Sequence, residues 1–112
     1  MTCVLTATLA ISIVTGVAVD AGMDVTETLD VFRMESSYNP CAVGDAGMAV
    51  GGFQIWRTTW EWLRGWMGRD PNPDLRWNLK ESAETYAFAV RKGWGCLWTA
   101  YRQLKGVSCR AT

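Results

Sequence analysis

The sequence predicts a mainly α-helical fold, formed as one domain over residues 1–112. Apolar residues recur at helical spacing through most of the chain. The alternation of apolar and polar residues that is typical of a β-strand does not extend over any appreciable length. Glycines follow the segments that have this spacing. With 112 residues, the chain is long enough to bury a hydrophobic core. Its composition, with 49% hydrophobic and 20% charged residues, is too apolar for a disordered protein.

The first predicted element is a buried helix over residues 1–19, which ends at Asp20-Ala-Gly22. This stretch is uncharged and just long enough to span a bilayer. However, five hydroxyl residues lower its apolar character, and it lacks the Lys/Arg n-region of a secretory signal. A buried helix is therefore favoured over the alternative, an export or membrane-tethering segment, and a stable membrane span is not expected.

The second predicted helix begins at Asp24, because Asp24 and Glu27 have the spacing of a capping box. Its buried face is predicted from helical spacing to contain Val25, Leu29 and Phe32. Asn39-Pro40 is expected to end it, since the residue before a proline avoids the α region.

The rest of the chain is divided by glycines and turn residues. A loop with at most a short hairpin is predicted where four glycines cluster: Gly44, Gly47, Gly51 and Gly52. Three further helices are predicted, with a turn at residues 69–74 after the first: residues 54–67, 75–92 and 96–104.

Tryptophan spacing in the first of these helices indicates packing. Trp56/Trp60 and Trp62/Trp66 are pairs four residues apart, and tryptophan at helical spacing is more often buried than bound to a ligand. Trp94, which lies between two glycines, and Trp98 are the candidates for a cleft.

Four cysteines leave two interpretations open. They are too far apart for a CxxC metal or redox motif: Cys3, Cys41, Cys96 and Cys109. If all pair, three disulfide connectivities exist and an oxidising compartment is indicated. Buried free thiols are the alternative.

Composition and charge exclude several classes of function. The chain has no histidine, so it can have neither a His-activated nucleophile nor His-ligated zinc, and we expect no metal and no cofactor. With 11 basic and 11 acidic residues it lacks the basic surplus of a nucleic-acid-binding protein. Residues 1–54 carry a net charge of −5 and residues 55–112 of +5, which indicates either pairing between the halves or a basic face for an anionic partner.

Glu35 is the carboxylate that the sequence singles out. It lies near the predicted end of the second helix, three residues after Phe32 and at the border of the buried face. Burial and a helix C-terminus both raise a carboxyl pKa, which a general acid needs near neutral pH. On position alone, an ordinary exposed glutamate at a helix end is favoured.

Residues 35–55, ESSYNPCAVGDAGMAVGGFQI, resemble the signature of soluble lytic transglycosylases and goose-type lysozymes. The matching positions are Glu35-Ser36, Tyr38, Asn39-Pro40, Ala42, Gly47, Ala49, Gly51 and Gln54-Ile55. Residues 97–101, LWTAY, resemble the late Ala-x-x-Tyr-Asn segment of the same family. The likeness is strong over residues 21–56 and faint over residues 75–105.

This resemblance implies an α+β lysozyme-like fold and cleavage of the MurNAc–GlcNAc β-1,4 bond of peptidoglycan. It implies that Glu35 is the catalytic acid and base, that Ser36 orients it or touches substrate, and that Gln54 hydrogen-bonds a sugar. Tyr101 would approach Glu35 from the last helix. Arg102 stands where the family has Asn, and Gly52-Phe53 replaces the usual Leu-Met, so one substrate contact and the cleft floor should differ.

Two reaction routes follow from the resemblance. In a lytic transglycosylase the N-acetyl group of the substrate attacks, and Glu35 alone suffices to give a 1,6-anhydro sugar. A hydrolytic lysozyme needs a second carboxylate, and Asp45 is the only acidic residue in the loop after Glu35. Because Asp is also typical of tight turns, the transglycosylase route is favoured.

Peptidoglycan strands at the bacterial cell wall, periplasmic or extracellular, are accordingly the expected partner. The small size suits a phage endolysin, a virion-associated lysin or a compact bacterial enzyme. For a virion-associated lysin, phage virion or tail proteins would be further partners. A non-catalytic structural or wall-binding protein of the same fold is the alternative from another class.

Overall fold

The computed structural model describes residues 3–109, in which five α-helices surround one hydrophobic core beside a small antiparallel sheet. The helices are α1 (Ala7–Asp20), α2 (Val25–Ser36), α3 (Arg57–Met67), α4 (Leu79–Arg91) and α5 (Thr99–Lys105). The strands are β1 (Val43–Gly44), β2 (Ala49–Val50) and β3 (Ile55–Trp56), in the order β1-β2-β3. The prediction of a mainly α fold is confirmed.

Helix α1 begins later than predicted. Met1 and Thr2 lie outside the described residues, and residues 3–6 precede the helix, whose N-cap is Thr6. The Thr6 hydroxyl accepts a hydrogen bond from the Leu9 N–H (3.1 Å), which satisfies one of the free amide groups of the first turn. One stripe of α1 is buried against α2 and α4, whereas Leu9 and Val19 are exposed. Within residues 3–109, no helix combines the length and the apolar character needed to cross a membrane.

Only one of the two hydrogen bonds of the predicted capping box forms at the start of helix α2. The Asp24 carboxylate accepts from the Glu27 N–H (2.9 Å), but the Glu27 carboxylate pairs with Lys105 of α5 (2.8 Å). The buried residues of the helix are Thr28, Val31 and Phe32, so Phe32 was predicted correctly. Val25 and Leu29 are only half-buried, but Leu29 packs against the core, as predicted.

The end of α2 also differs from the prediction. The helix ends at Ser36, ahead of Asn39-Pro40, because Ser37 (φ 54°) and Tyr38 (φ 64°) are both left-handed. This conformation is uncommon for residues with a Cβ and ends a helix sharply.

The predicted short hairpin is present, and a third strand extends it. Strands β1 and β2 pair Val43 with Val50, and β2 and β3 pair Val50 with Ile55. The prediction of a helix from residue 54 is wrong at its start, because Gln54 is left-handed (φ 51°) and residues 55 and 56 belong to the sheet.

The last two predicted helices are shorter in the structure. Residues 73–77 form a 3-10 turn before α4, whose N-cap Asn78 accepts from the Glu81 N–H (3.1 Å). Residues 95–97 form another 3-10 turn before α5. Both helices therefore begin after a separate turn that helical spacing alone does not reveal.

An aromatic stack connects the helices to the turn between β2 and β3. The Phe53 ring lies between the rings of Phe32 in α2 (5.4 Å between centroids) and Tyr86 in α4 (4.7 Å). Trp98, just before α5, packs edge-on against Tyr86 (4.9 Å) and donates its indole N–H to the Phe53 carbonyl (2.8 Å). This stack fixes α2, α4 and α5 relative to one another.

All four cysteines form disulfides, which selects one of the three connectivities. Cys3–Cys41 joins the segment before α1 to the loop after α2, and Cys96–Cys109 joins the two ends of the α5 region. The alternative of free thiols is wrong.

Candidate active site

Glu35 lies in the last turn of α2, half-buried where α2 packs against α5. Burial raises the pKa of this carboxyl above its ordinary value, and the nearby Ala100 backbone N–H partly opposes that rise. Among charged groups, Asp45 raises the pKa of Glu35 further and Arg102 lowers it. A carboxyl with a raised pKa can serve as a general acid, as the sequence indicated.

Asp45 approaches Glu35 from the turn between β1 and β2. Asp45 (φ 51°) and Ala46 (φ 55°) are both left-handed, so the interpretation of Asp45 as a tight-turn residue is confirmed. Its carboxylate is exposed and accepts a hydrogen bond from the Trp56 indole N–H (3.1 Å). The structure therefore places a second, oriented carboxylate near Glu35.

The side chains of Ser36 and Gln54 are engaged by the protein backbone. The Ser36 hydroxyl donates to the Phe32 carbonyl (3.1 Å), which leaves its oxygen as an acceptor. The Gln54 amide nitrogen donates to the carbonyls of Ala42 (3.1 Å) and Gly51 (2.9 Å). Gln54 thus fixes the loop around the sheet, and its oxygen is the group that it could offer to a sugar.

Tyr101 lies on α5, half-buried against the core. Its ring packs on Gly95 so closely that a Cβ there would come within 2.6 Å of ring atoms, so a larger residue at Gly95 would displace the ring. Tyr101 directly follows Ala100, whose backbone N–H faces Glu35. The structure therefore brings Tyr101 to the region of Glu35.

Arg102 contributes a cation that the sequence did not assign to the site. Its guanidinium donates to the Cys96 carbonyl (2.6 Å) and to the Thr99 hydroxyl (3.0 Å), which holds the charge at the start of α5. From there it favours the ionised form of Glu35. The only signal in the sequence was the departure from Asn at this position.

The tryptophans are arranged differently from the prediction. Trp60 is buried, but Trp62 and Trp66 are 48% and 61% exposed, and their rings pack edge-on at 6.5 Å between centroids. Trp94 is half-buried and joins them, 4.7 Å from Trp62. Trp98 is only 4% exposed, so the expectation that it lines a cleft is wrong. Spacing identifies neighbours on a helix but does not tell which face is buried.

No group of three Cys, Asp or Glu side chains within residues 3–109 could hold a metal ion. A cavity of about 480 Å³ lies between the end of α1, the end of α3 and α4, with Val17, Met67 and Phe88 among its lining residues. None of the candidate site residues lines it.

Comparison of the chain with protein-family models, curated proteins and solved structures gives no match.

Proposed function

We propose that the protein is a muramidase that cleaves the MurNAc–GlcNAc β-1,4 bond of peptidoglycan, with Glu35 as general acid and base. The observation that carries the proposal is the half-buried Glu35 carboxyl, whose pKa is raised, between the β1–β2 turn and α5. The motif over residues 35–55 supports the choice of substrate, because its Glu-Ser pair is the pair at this site.

The favoured route is that of a lytic transglycosylase. Protonated Glu35 donates its proton to the glycosidic oxygen while the bond from that oxygen to C1 of MurNAc breaks. The N-acetyl oxygen of the same sugar bonds to C1. The ionised Glu35 then takes the proton of the C6 hydroxyl, whose oxygen attacks C1 and releases the N-acetyl group, leaving a 1,6-anhydro sugar.

Groups around Glu35 suit both steps. Burial and the Asp45 carboxylate favour the protonated form, which is the acid of the first step. The Ala100 N–H and the Arg102 guanidinium favour the ionised form, which is the base of the second. No second carboxylate is needed for this sequence of steps.

Hydrolysis is the second candidate, and the position of Asp45 favours it. Its carboxylate is close enough to raise the pKa of Glu35, and the Trp56 indole N–H holds it in one orientation. A base that activates water must be oriented in this way. Action on the cell wall, outside the cytoplasm, agrees with two disulfides.

Mass spectrometry of purified peptidoglycan after digestion tests the proposal and separates the routes. Anhydro ends are the expected product, whereas reducing ends would support the hydrolase. Asp45→Asn, which keeps an acceptor for the Trp56 indole, should retain activity on the first route and lose it on the second. No product from the folded wild-type protein would overturn the muramidase proposal and favour a structural or wall-binding role.

A further inference from the structure

Tyr86 carries the one buried side-chain polar atom, its hydroxyl, that has no hydrogen-bond partner within residues 3–109. The residue is fully buried in α4. Buried polar groups are nearly always paired, because an unpaired one loses its contacts with water and gains nothing in return. A phenylalanine would fill the same space without this cost in stability. The presence of the hydroxyl therefore indicates a function other than packing.

The aromatic stack connects the Tyr86 ring to the helix that carries Glu35. Tyr86 packs on Phe53, which packs on Phe32, and Phe32 lies one helical turn before Glu35 on the same side of α2. On the other side, Tyr86 contacts Trp98. The backbone turns from Trp98 into the first turn of α5, where the Ala100 N–H faces Glu35.

The groups around the hydroxyl are acidic. Burial raises the pKa of Tyr86, and the nearby carboxylates of Glu27 and Glu35 raise it further, so the phenol stays neutral and can donate. The Glu27 carboxylate already has a cationic partner, Lys105, at 2.8 Å. Glu35 accepts from the Ala100 N–H but forms no ion pair within residues 3–109, so it is the neighbouring carboxylate that would gain most from a further donor.

We propose that Tyr86 is a positioning residue for Glu35: its hydroxyl donates a hydrogen bond, through one water molecule, to the ionised Glu35 carboxylate. While Glu35 is protonated the phenol is not required. Once Glu35 has given up its proton, the half-buried negative charge needs a donor, and the phenol supplies one. An interaction made only after charge has developed lowers the reaction barrier and leaves substrate binding unchanged.

The kinetic side of this inference rests on the proposed function, but the hydrogen bond itself does not. The variant is Tyr86→Phe, which keeps the ring stack, and the measurement is the pKa of Glu35 by ¹³C NMR of its carboxyl. Loss of a donor to the ionised form should raise that pKa. In the active enzyme, kcat should fall about 10- to 100-fold with KM little changed, the effect of one hydrogen bond to a charged group. The alkaline limb of the pH–rate profile should move to higher pH.

Thr85→Val is the matched control, because it removes a buried hydroxyl from the same helix. Thr85 pairs with Arg64 (3.1 Å), so the control should lower stability and leave the pKa of Glu35 unchanged. An unchanged or lowered pKa of Glu35 in Tyr86→Phe, with a raised Tm, would overturn the inference and show a merely unpaired hydroxyl. A shifted pKa in a protein without activity on peptidoglycan would uphold the hydrogen bond and overturn the proposed function alone.

A second measurement serves if Tyr86→Phe does not fold. The ¹³Cζ shift of Tyr86 should titrate with Glu35 in the wild-type protein and stay constant over the same pH range in Glu35→Gln. A constant shift in both proteins would overturn the inference.

Discussion

Replacing Glu81 by alanine should destabilise the protein more than replacing its partner, Arg64. The Arg64 side chain is 2% exposed and its guanidinium lies 2.6 Å from the Glu81 carboxylate, which is 26% exposed. Arg64 also donates to the Asp70 carbonyl (2.9 Å) and the Thr85 hydroxyl (3.1 Å), and it lies over the Trp60 ring (4.9 Å). Glu81→Ala would leave this cation buried without its counter-charge.

The magnitude follows from these contacts. Removing one partner of a buried ion pair costs about 3–5 kcal/mol, and a hydrogen bond to a charged group contributes about 1.5–3 kcal/mol. Because Glu81 is partly solvated and Arg64 keeps its neutral partners, we expect a loss of about 2–3 kcal/mol for Glu81→Ala. Arg64→Met removes the buried charge itself and fills similar space, so it should cost less.

Urea denaturation followed by tryptophan fluorescence measures both losses. The double variant Arg64→Met/Glu81→Ala should be more stable than the sum of the single losses implies, because the two side chains interact. A loss below about 0.5 kcal/mol for Glu81→Ala, the size of an ordinary surface substitution, would refute this reasoning.

Two other predictions concern stability. Glu35→Gln should be more stable than the wild type at pH 7 and equally stable in acid. Urea denaturation at a series of pH values measures this difference. The raised pKa means that the folded state holds the proton more tightly. Both states are protonated below the ordinary value of 4.5, so the wild type loses stability as pH rises from there through the folded pKa, by about 1.4 kcal/mol per unit of difference. Equal stability at pH 7 would contradict the raised pKa. Removing the Cys3–Cys41 disulfide, which spans 38 residues, should lower the free energy of unfolding by about 4 kcal/mol. Removing Cys96–Cys109, which spans 13 residues, should lower it by about 3 kcal/mol. Paired Cys→Ala variants measure both losses, and the reverse order would contradict the loop-entropy argument.

Local signals in the sequence predicted much of the helical framework. Asp24 marked the start of α2 because a capping carboxylate acts within three residues of its own position. The end of α2 depends on left-handed Ser37 and Tyr38, and neither residue type favours that conformation. Trp56 lies in β3 because its strand partner, Ala49, is seven residues earlier, which helical spacing cannot take into account.

The central residue of the candidate site, Glu35, was predictable from the sequence, but the groups around it were not. Glu35 was identified by its place on α2 and by the motif that follows it. Arg102 acts on Glu35, and Glu35 acts on Tyr86, between segments far apart in the chain, and the sequence gives no direct signal of such proximity. Arg64 was likewise missed, because burial of an arginine depends on distant partners such as Glu81.

Release of soluble fragments from purified peptidoglycan by Glu35→Gln, compared with the wild type, tests the central claim most directly. Glu61→Gln is the matched control, since it makes the same chemical change at an exposed position of α3. The wild type and Glu61→Gln should release fragments at similar rates, and Glu35→Gln should be at least about 100-fold slower while remaining folded by circular dichroism. Release by Glu35→Gln at the wild-type rate would contradict the assignment of Glu35 as the acid.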